Sequence, residues 1–187
     1  MHKRIVDIKY LPSLLQVFVI GTVIVLSGCL GVKNSTRSSG KNLFETFFVG
    51  NDGTQYFIKP LIFNDGNNNQ LKLDVTFRYK DAIKDSALVN ISFINTNIYH
   101  TIDSLKISND SATVVFRNFK YLFAERIQKK MNSRFSTTGT LVDIYKLFKK
   151  NNWSMIVYQQ KGCGIYYSPN ETRKKIDKLR YGIFMLF

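Results

Sequence analysis

The feature that most restricts this chain is a strict alternation of apolar and polar residues from Leu71 to Lys80. Leucine, valine, phenylalanine and tyrosine occupy the odd positions, and lysine, aspartate, threonine and arginine occupy the even ones. Successive side chains of a strand point to opposite faces, so this pattern predicts a strand with one buried face and one face in water. A strand satisfies its backbone hydrogen bonds by pairing with other strands, and the segment therefore predicts a sheet.

Flanking segments supply the neighbours. Residues Gln55–Phe63 predict a hairpin partner, joined through a turn at Asp65-Gly66 in NDGNNNQ. Pro60 lies inside that partner and favours an edge strand or a bulge, because proline has no N–H to donate. Leu88–Ile94 and Leu105–Phe116, the latter interrupted at SNDSA, predict further strands. The first half of the chain is thus expected to form a mostly antiparallel sheet.

Beyond Phe116 the apolar spacing changes to a helical period. Phe123, Ile127 and Met131 recur every four residues and predict an amphipathic helix over 122–132. Thr140 and Asp143 have the spacing of a capping box and begin a second predicted helix. Its apolar stripe consists of Leu141, Ile144, Tyr145 and Phe148.

The last part of the chain predicts a hairpin and a final helix. WSMIVYQQ and GIYYS flank a turn at residues 161–164. Ser168 as N-cap, Pro169 at the first helical position and Glu171 at the third predict a helix start. The apolar face of that helix consists of Thr172, Ile176, Leu179 and Ile183. The expected fold class is α+β, with an antiparallel sheet first, then two or three amphipathic helices and a hairpin.

The N-terminal leader has the layout of a secretory signal. Basic residues precede an apolar run from Leu14 to Leu26, which is shorter than the ~20 residues of a membrane-spanning helix. The tetrad Leu26-Ser27-Gly28-Cys29 resembles the lipobox of bacterial lipoproteins. That resemblance implies diacylglyceryl transfer to the Cys29 thiol, cleavage before Cys29 and acylation of the new N-terminus. An ordinary cleaved signal and an uncleaved anchor are the alternatives, and all three place the remainder outside the cytoplasm.

A polar tether follows the lipid-attachment cysteine. Residues 29–42 are rich in Ser, Asn, Gly and charge, and predict a flexible linker with a reach of about 20 Å. The expected organisation is a signal peptide over 1–28, a lipidated tether over 29–42 and a single α+β domain over 43–187. Leu30 stands where the lipoprotein resemblance places a retention aspartate. In a two-membrane host, this implies the outer membrane rather than the inner one.

Positive charge is concentrated in the second half. Residues 29–114 carry 9 Lys or Arg and 8 Asp or Glu, whereas residues 115–187 carry 15 and 4. The final predicted helix contributes a cationic surface of Arg173, Lys174, Lys175, Lys178 and Arg180. Dipole complementation and solubility are one interpretation of this surface. Binding of anionic lipid or envelope polysaccharide is another, and nucleic acid is disfavoured by the extracytoplasmic location.

The composition restricts catalysis. After the leader, His100 is the only histidine, so multi-histidine metal sites are excluded, and no phosphate-binding glycine loop is present. Cys163, in KGCGIYY, is interpreted as a small turn residue. The sequence therefore predicts a non-catalytic, cofactor-free envelope lipoprotein with a binding or structural role. A subunit of an envelope complex and an envelope hydrolase are the alternatives.

Overall fold

The computed structural model of the chain describes residues 43–80, 86–160 and 162–186. Ten strands and two α-helices make up most of this part. The strands are β1 (Phe44–Phe48), β2 (Thr54–Asn64), β3 (Gln70–Tyr79), β4 (Ser86–Asn95), β5 (Ser104–Ser108), β6 (Thr113–Phe116), β7 (Lys120–Ile127), β8 (Lys130–Thr140), β9 (Ser154–Gln159) and β10 (Gly162–Tyr167). The helices are α1 (Leu141–Phe148) and α2 (Asn170–Gly182), and short 3₁₀ turns occupy Gly50–Asp52 and Phe184–Leu186.

All strand pairings in this part are antiparallel. The strand order is β6-β5-β9-β10-β2-β3-β4-β8-β7, and β1 pairs with β2 as well. Strands β2, β3, β4 and β8 form the continuous middle of the sheet, and β4 pairs with β8 over ten residues. Strands β7 and β8, from the second half of the sequence, thus extend the sheet that the first half begins.

Strand β2 divides its outer edge between two partners. Residues 54–58 of β2 pair with β1, and Asn64 alone pairs with Tyr167 of β10. The predicted irregularity at Pro60 is confirmed, because the β2–β3 register shifts between Ile58 and Leu61. In the gap between β1 and β10, the Thr172 hydroxyl of α2 donates to the Ile62 carbonyl at 2.6 Å. A helix side chain thereby satisfies a strand acceptor that has no ladder partner there.

The core lies between the apolar face of the sheet and the buried faces of both helices. The odd residues of β3 from Leu71 to Phe77 are each 2 % exposed or less, as the alternation predicts. Aromatic rings join the sheet to the helices. Phe63 lies 6.2 Å from Trp153, Trp153 meets Phe148 edge to face at 4.9 Å, and Phe148 stacks on Phe184 at 4.1 Å.

The helix predicted over 122–132 is wrong. This segment forms β7, a two-residue turn at Gln128 and Lys129, and the start of β8, with Ile127 opposite Lys130. A spacing of four is an even number, so it also places residues on one face of a strand. The choice between the two structures is made by β4, which offers β8 a full ladder of hydrogen bonds.

The predicted start of the last helix is also wrong in detail. Pro169, not Ser168, is the N-cap, and no side chain caps the helix. The Ser168 side chain is buried and its hydroxyl donates to the Asn151 carbonyl at 3.3 Å, so it is used in tertiary contact instead. Thr140 is confirmed as the N-cap of the earlier helix, since the Asp143 N–H donates to the Thr140 hydroxyl at 3.1 Å. The Asp143 carboxylate accepts from the Thr140 hydroxyl at 2.8 Å.

The coarse fold class is confirmed as a mostly antiparallel sheet with helices, and the first half is all sheet as expected. The described residues contain two α-helices and not three, because the segment 122–132, predicted as a helix, belongs to the β7–β8 hairpin. The predicted hairpin near residue 161 is confirmed as β9 and β10. The leader, the lipobox with Cys29 and the tether over 29–42 lie outside the described residues.

Candidate anion-binding surface

The five cations predicted on the last helix do not form one surface. Thr172, Ile176 and Leu179 are buried, and they define the inner side of α2. At 100° per residue, Lys174 and Lys178 lie on the opposite, solvent side, and Lys175 lies on one flank. Arg173 and Arg180 share the other flank, which separates the set into two groups.

Arg173 is held at the start of α2. Its Nε donates to the Ser168 carbonyl at 3.0 Å and to the Ser168 hydroxyl at 3.3 Å. These bonds replace the missing side-chain cap as the local tie between the helix and the preceding segment. Arg173 therefore has a structural role, and part of its guanidinium is already used in hydrogen bonds to Ser168.

Arg180 lines a pocket together with two lysines that the sequence analysis did not single out. The pocket has a volume of about 320 Å³ and lies where the end of α1 meets the last turn of α2. Lys149 and Lys150 directly follow α1 and contribute the other two positive charges of the pocket. The remaining lining residues are Ser111, Tyr145, Phe148 and Phe184.

Aromatic rings give the pocket a rigid floor. Phe148 and Phe184 are each 2 % exposed or less and stack with an interplanar angle of 19°. Lys149 Nζ lies 5.1 Å from the centre of the Tyr145 ring, which is a cation–π distance. The Arg180 guanidinium lies 5.4 Å from the centre of the Tyr181 ring, so two of the three pocket cations are each placed against an aromatic ring.

Free carbonyls at the end of α1 would repel an anion, and two carbonyls there, those of Leu147 and Lys150, are hydrogen-bonded. The Leu147 carbonyl accepts from Asn109 Nδ2 at 2.7 Å and from Trp153 Nε1 at 2.9 Å. Trp153 Nε1 also donates to the Lys150 carbonyl at 2.6 Å. These donors partly offset the negative end of the helix dipole beside the two lysines.

No ion pair among the described residues involves the three pocket cations. The four ion pairs of this part of the chain join Lys59 to Glu45, Arg78 to Asp52, Arg134 to Asp74 and Lys146 to Asp143. The helix carboxylate nearest in sequence to Arg180 is Asp177, which accepts from Asn151 Nδ2 at 2.6 Å. Three positive charges therefore surround one pocket without a carboxylate in its lining.

The sequence contains a signal for Lys149 and Lys150, but it contains no signal that they lie close to Arg180. Lys149 and Lys150 follow directly on the apolar stripe that ends at Phe148, and they contribute to the charge excess of the second half. Arg180 is thirty positions further on than Lys150. Only the packing of α1 against α2 brings these residues to one pocket.

The two residues weighed for catalysis lie apart from this pocket. His100 is exposed, and its ring lies 5.9 Å from that of Tyr121. Cys163 is an exposed free thiol within β10, opposite Tyr158, rather than in the turn before the strand. Within residues 43–80, 86–160 and 162–186, no group of three or more His, Cys, Asp or Glu is placed to hold a metal ion.

A second polar cluster joins β10 to the end of β4 and the connection that follows it. The Tyr166 side chain is buried and hydrogen-bonded to Tyr99, whose hydroxyl accepts from Asn95 Nδ2 at 2.8 Å. Burial, followed by the nearby Tyr99 and Asp65, raises the pKa of the Tyr166 phenol well above its usual range. The phenol stays neutral, and its contact with Tyr99 ties β10 to the connection between β4 and β5.

No protein-family model matches the chain, and no curated protein or solved structure is significantly similar to it. In the part of the chain that the structure describes, neither helix has the length and apolarity needed to cross a membrane.

Proposed function

We propose that this protein is a lipid-anchored lipoprotein of the bacterial cell envelope whose α1–α2 end binds an anionic surface or ligand. The observation that carries the proposal is the group of Lys149, Lys150 and Arg180 around one pocket with no carboxylate in the lining. The lipobox that ends at Cys29 supports the anchor. Tethering would hold this end of the domain at high effective concentration beside the envelope surface.

Electrostatic attraction of this kind has a usable magnitude. Each basic residue close to an anionic membrane contributes about 1 kcal/mol, and the contribution decays within a Debye length. Three clustered cations would therefore give a modest, salt-sensitive attraction. The lipid anchor would supply the residence time, since two or three acyl chains hold a protein on a membrane far longer than one.

The anchor is tested by metabolic labelling of the full chain with a radioactive or clickable fatty acid. The wild-type protein is expected to take up label, and Cys29→Ser is expected to take up none and to leave the membrane fraction or accumulate as precursor. Cys163→Ser is the matched control, because it removes the other cysteine of the chain. An unlabelled wild-type protein would refute the lipoprotein assignment.

The binding role is tested by calorimetry on the full-length protein in a neutral maltoside detergent. Short-chain phosphatidylglycerol and short-chain phosphatidylcholine are titrated at low and at high salt. We expect tighter binding of phosphatidylglycerol at low salt, and we expect added salt to remove the difference, because exposed charges are screened. Equal binding of the two lipids at low salt would refute an anionic preference.

Assembly into a larger envelope complex is a second candidate, favoured by the exposed apolar residues of β7. This edge strand exposes Leu122, Phe123 and Ile127 by 40–42 % each. Its backbone is paired only with β8, so the other edge is open among the described residues. Exposed apolar edge strands are sites at which other chains add.

Crosslinking in the native membrane, followed by mass spectrometry, tests this second candidate. A photo-crosslinking residue in place of Phe123 is expected to capture one defined envelope protein, whereas the same residue in place of Lys106, within the paired strand β5, is expected to capture none. Equal yields from both positions would argue against a docking edge.

A further inference from the structure

We infer that the pocket between α1 and α2 is a binding site for a phosphate group esterified to a small polyol, such as glycerol or a sugar. The inference rests on the proposed function and names the ligand of the same surface. It requires a specific pocket, whereas the proposed function requires only a net attraction. The two can therefore fail separately.

The charges in the pocket suit a phosphate. Arg180 of α2 has a planar guanidinium that can donate two parallel hydrogen bonds, and Lys149 and Lys150 contribute point charges from the end of α1. A phosphate carries one or two negative charges and several acceptor oxygens. Three cations without a neighbouring carboxylate in the lining match that demand better than they match a neutral ligand.

The size of the pocket calls for more than an inorganic ion. A volume of about 320 Å³ lies at the lower end of the range for small-molecule sites, about 300–1,000 Å³. The rings of Tyr145, Phe148 and Phe184 offer apolar contact to the carbon skeleton of the ligand. The hydroxyl of Ser111, on the turn between β5 and β6, donates to Asn109 Oδ1 at 3.1 Å, so its oxygen is left to accept a hydrogen bond from a polyol hydroxyl.

The backbone around the pocket is prepared in advance. Asn109 Nδ2 reaches the Leu147 carbonyl, while its Oδ1 accepts from the N–H groups of Ser111 and Ala112 at 2.9 Å each. One side chain thus joins the Ser111 turn to the end of α1. The cations and the hydroxyl are held on connected segments, so binding needs little reordering of the backbone.

Trp153 reports on the pocket. It is the single tryptophan of the chain and is buried. It contacts the ring of Phe148 and donates to the Leu147 carbonyl, two residues before Lys149. Ligand binding above Phe148 is expected to change its fluorescence. The signal is intrinsic, so the full-length protein in detergent can be used without a label.

The test titrates that protein with glycerol 1-phosphate, with glycerol and with short-chain phosphatidylglycerol, by fluorescence and calorimetry. The pocket variant combines Lys149→Gln, Lys150→Gln and Arg180→Gln. The matched control combines Lys174→Gln, Lys175→Gln and Lys178→Gln, which removes the same charge from the other sides of α2. Thermal unfolding and near-UV circular dichroism establish that both variants are folded.

We expect glycerol 1-phosphate to bind the wild-type protein and glycerol not to bind. The pocket variant should weaken phosphate binding by about tenfold or more, because it removes charge-assisted hydrogen bonds. The control should stay within about twofold, because its charges are exposed and screened. Tighter binding of the phosphatidylglycerol, lost in the pocket variant, would identify a lipid headgroup as the source. Equal binding of the two phosphates would identify a soluble or polysaccharide phosphate.

Two results would overturn the inference. Equal weakening by both triple variants would show a diffuse attraction, which removes the pocket but leaves the proposed function standing. No response to either phosphate ligand would remove the site altogether. The proposed function fails on its own measurement, an absence of preference for the anionic lipid at low salt.

Discussion

The carboxylate of Asp74 is the centre of a hydrogen-bond network on the polar face of the sheet, and Asp74→Ala is expected to destabilise the protein by about 2–3 kcal/mol. Asp74 accepts from Arg134 Nη2 at 2.9 and 3.1 Å and from Asn90 Nδ2 at 2.9 Å. Arg134 Nη1 donates to Ser92 at 2.8 Å, so three neighbouring strands are joined. The variant leaves a largely buried guanidinium with one partner.

The magnitude follows from the burial of the pair. Breaking a fully buried ion pair by removing one partner costs about 3–5 kcal/mol. Here the Asp74 and Arg134 side chains are 14 % and 26 % exposed, so water can partly replace the lost contacts. The lower figure of about 2–3 kcal/mol results.

The assay is urea unfolding of the full-length protein in detergent, followed by the fluorescence of Trp153. The free energy of unfolding is compared for the wild type, Asp74→Ala, Arg134→Met and the double variant, with unchanged m-values as the check on two-state behaviour. We expect a coupling energy of about 1 kcal/mol or more between the two sites. The double variant should be less damaged than the sum of the single ones, since it leaves no unpaired charge.

A second Arg–Asp pair in the same molecule supplies the control. Arg78 and Asp52 lie 3.3 Å apart with side chains 43 % and 66 % exposed. Their double-mutant cycle should show no coupling beyond experimental error, as is usual for exposed pairs. If the two cycles give the same coupling energy, burial does not set the strength of these pairs, and the reasoning is refuted.

Three further predictions concern local features of the fold. Thr140→Ala removes the N-cap of α1 and should lower the free energy of unfolding by about 1 kcal/mol in urea titrations, with Thr140→Ser close to the wild type. The hydrogen bond from Thr140 lowers the pKa of the Asp143 carboxyl in the folded protein. The ionised carboxylate therefore stabilises the fold at any pH above the pKa of Asp143 in the unfolded chain, and this contribution is lost as pH falls through the lower pKa of the folded state. Unfolding titrations at descending pH should therefore show the stability gap between the wild type and Asp143→Asn narrowing in acid, and a constant gap would contradict this assignment. A methyl group on Gly139 would lie 2.5 Å from Cε1 of the buried Phe116 ring, so Gly139→Ala should lower the free energy of unfolding by about 1–3 kcal/mol. Gly66→Ala is the comparison: its Cβ would meet open space at a positive φ, so this variant measures backbone strain alone.

Local patterns in the sequence predict those elements whose stabilising contacts are close along the chain. The alternation over β3, the Asp65-Gly66 turn and the Thr140 cap are all confirmed. In the turn, Asp65 Oδ1 accepts from the N–H groups of Asn67 and Asn69, within four residues. These features depend on neighbours in sequence, so the sequence pattern contains the information needed to predict them.

The errors fall where a distant partner decides the outcome. Phe123 and Ile127 fit one face of a helix or one face of a strand equally well, and β4 selects the strand by pairing with β8. Met131 lies beyond the turn, on β8, where it pairs with Arg126. Ser168 has the right spacing for an N-cap, but its hydroxyl is taken by the Asn151 carbonyl. In both cases a tertiary hydrogen bond outweighs a local preference.

The candidate site divides in the same way. The sequence by itself determined the alternation that requires a sheet and the excess of positive charge after residue 114, and it carries the tetrad ending at Cys29 that resembles a lipobox. Tertiary structure alone decided that Arg180 meets Lys149 and Lys150, and that Lys174 and Lys178 face away from them. The physical reason is that periodicity describes a residue's direction relative to its own helix or strand, whereas a pocket depends on which helices the core packs together.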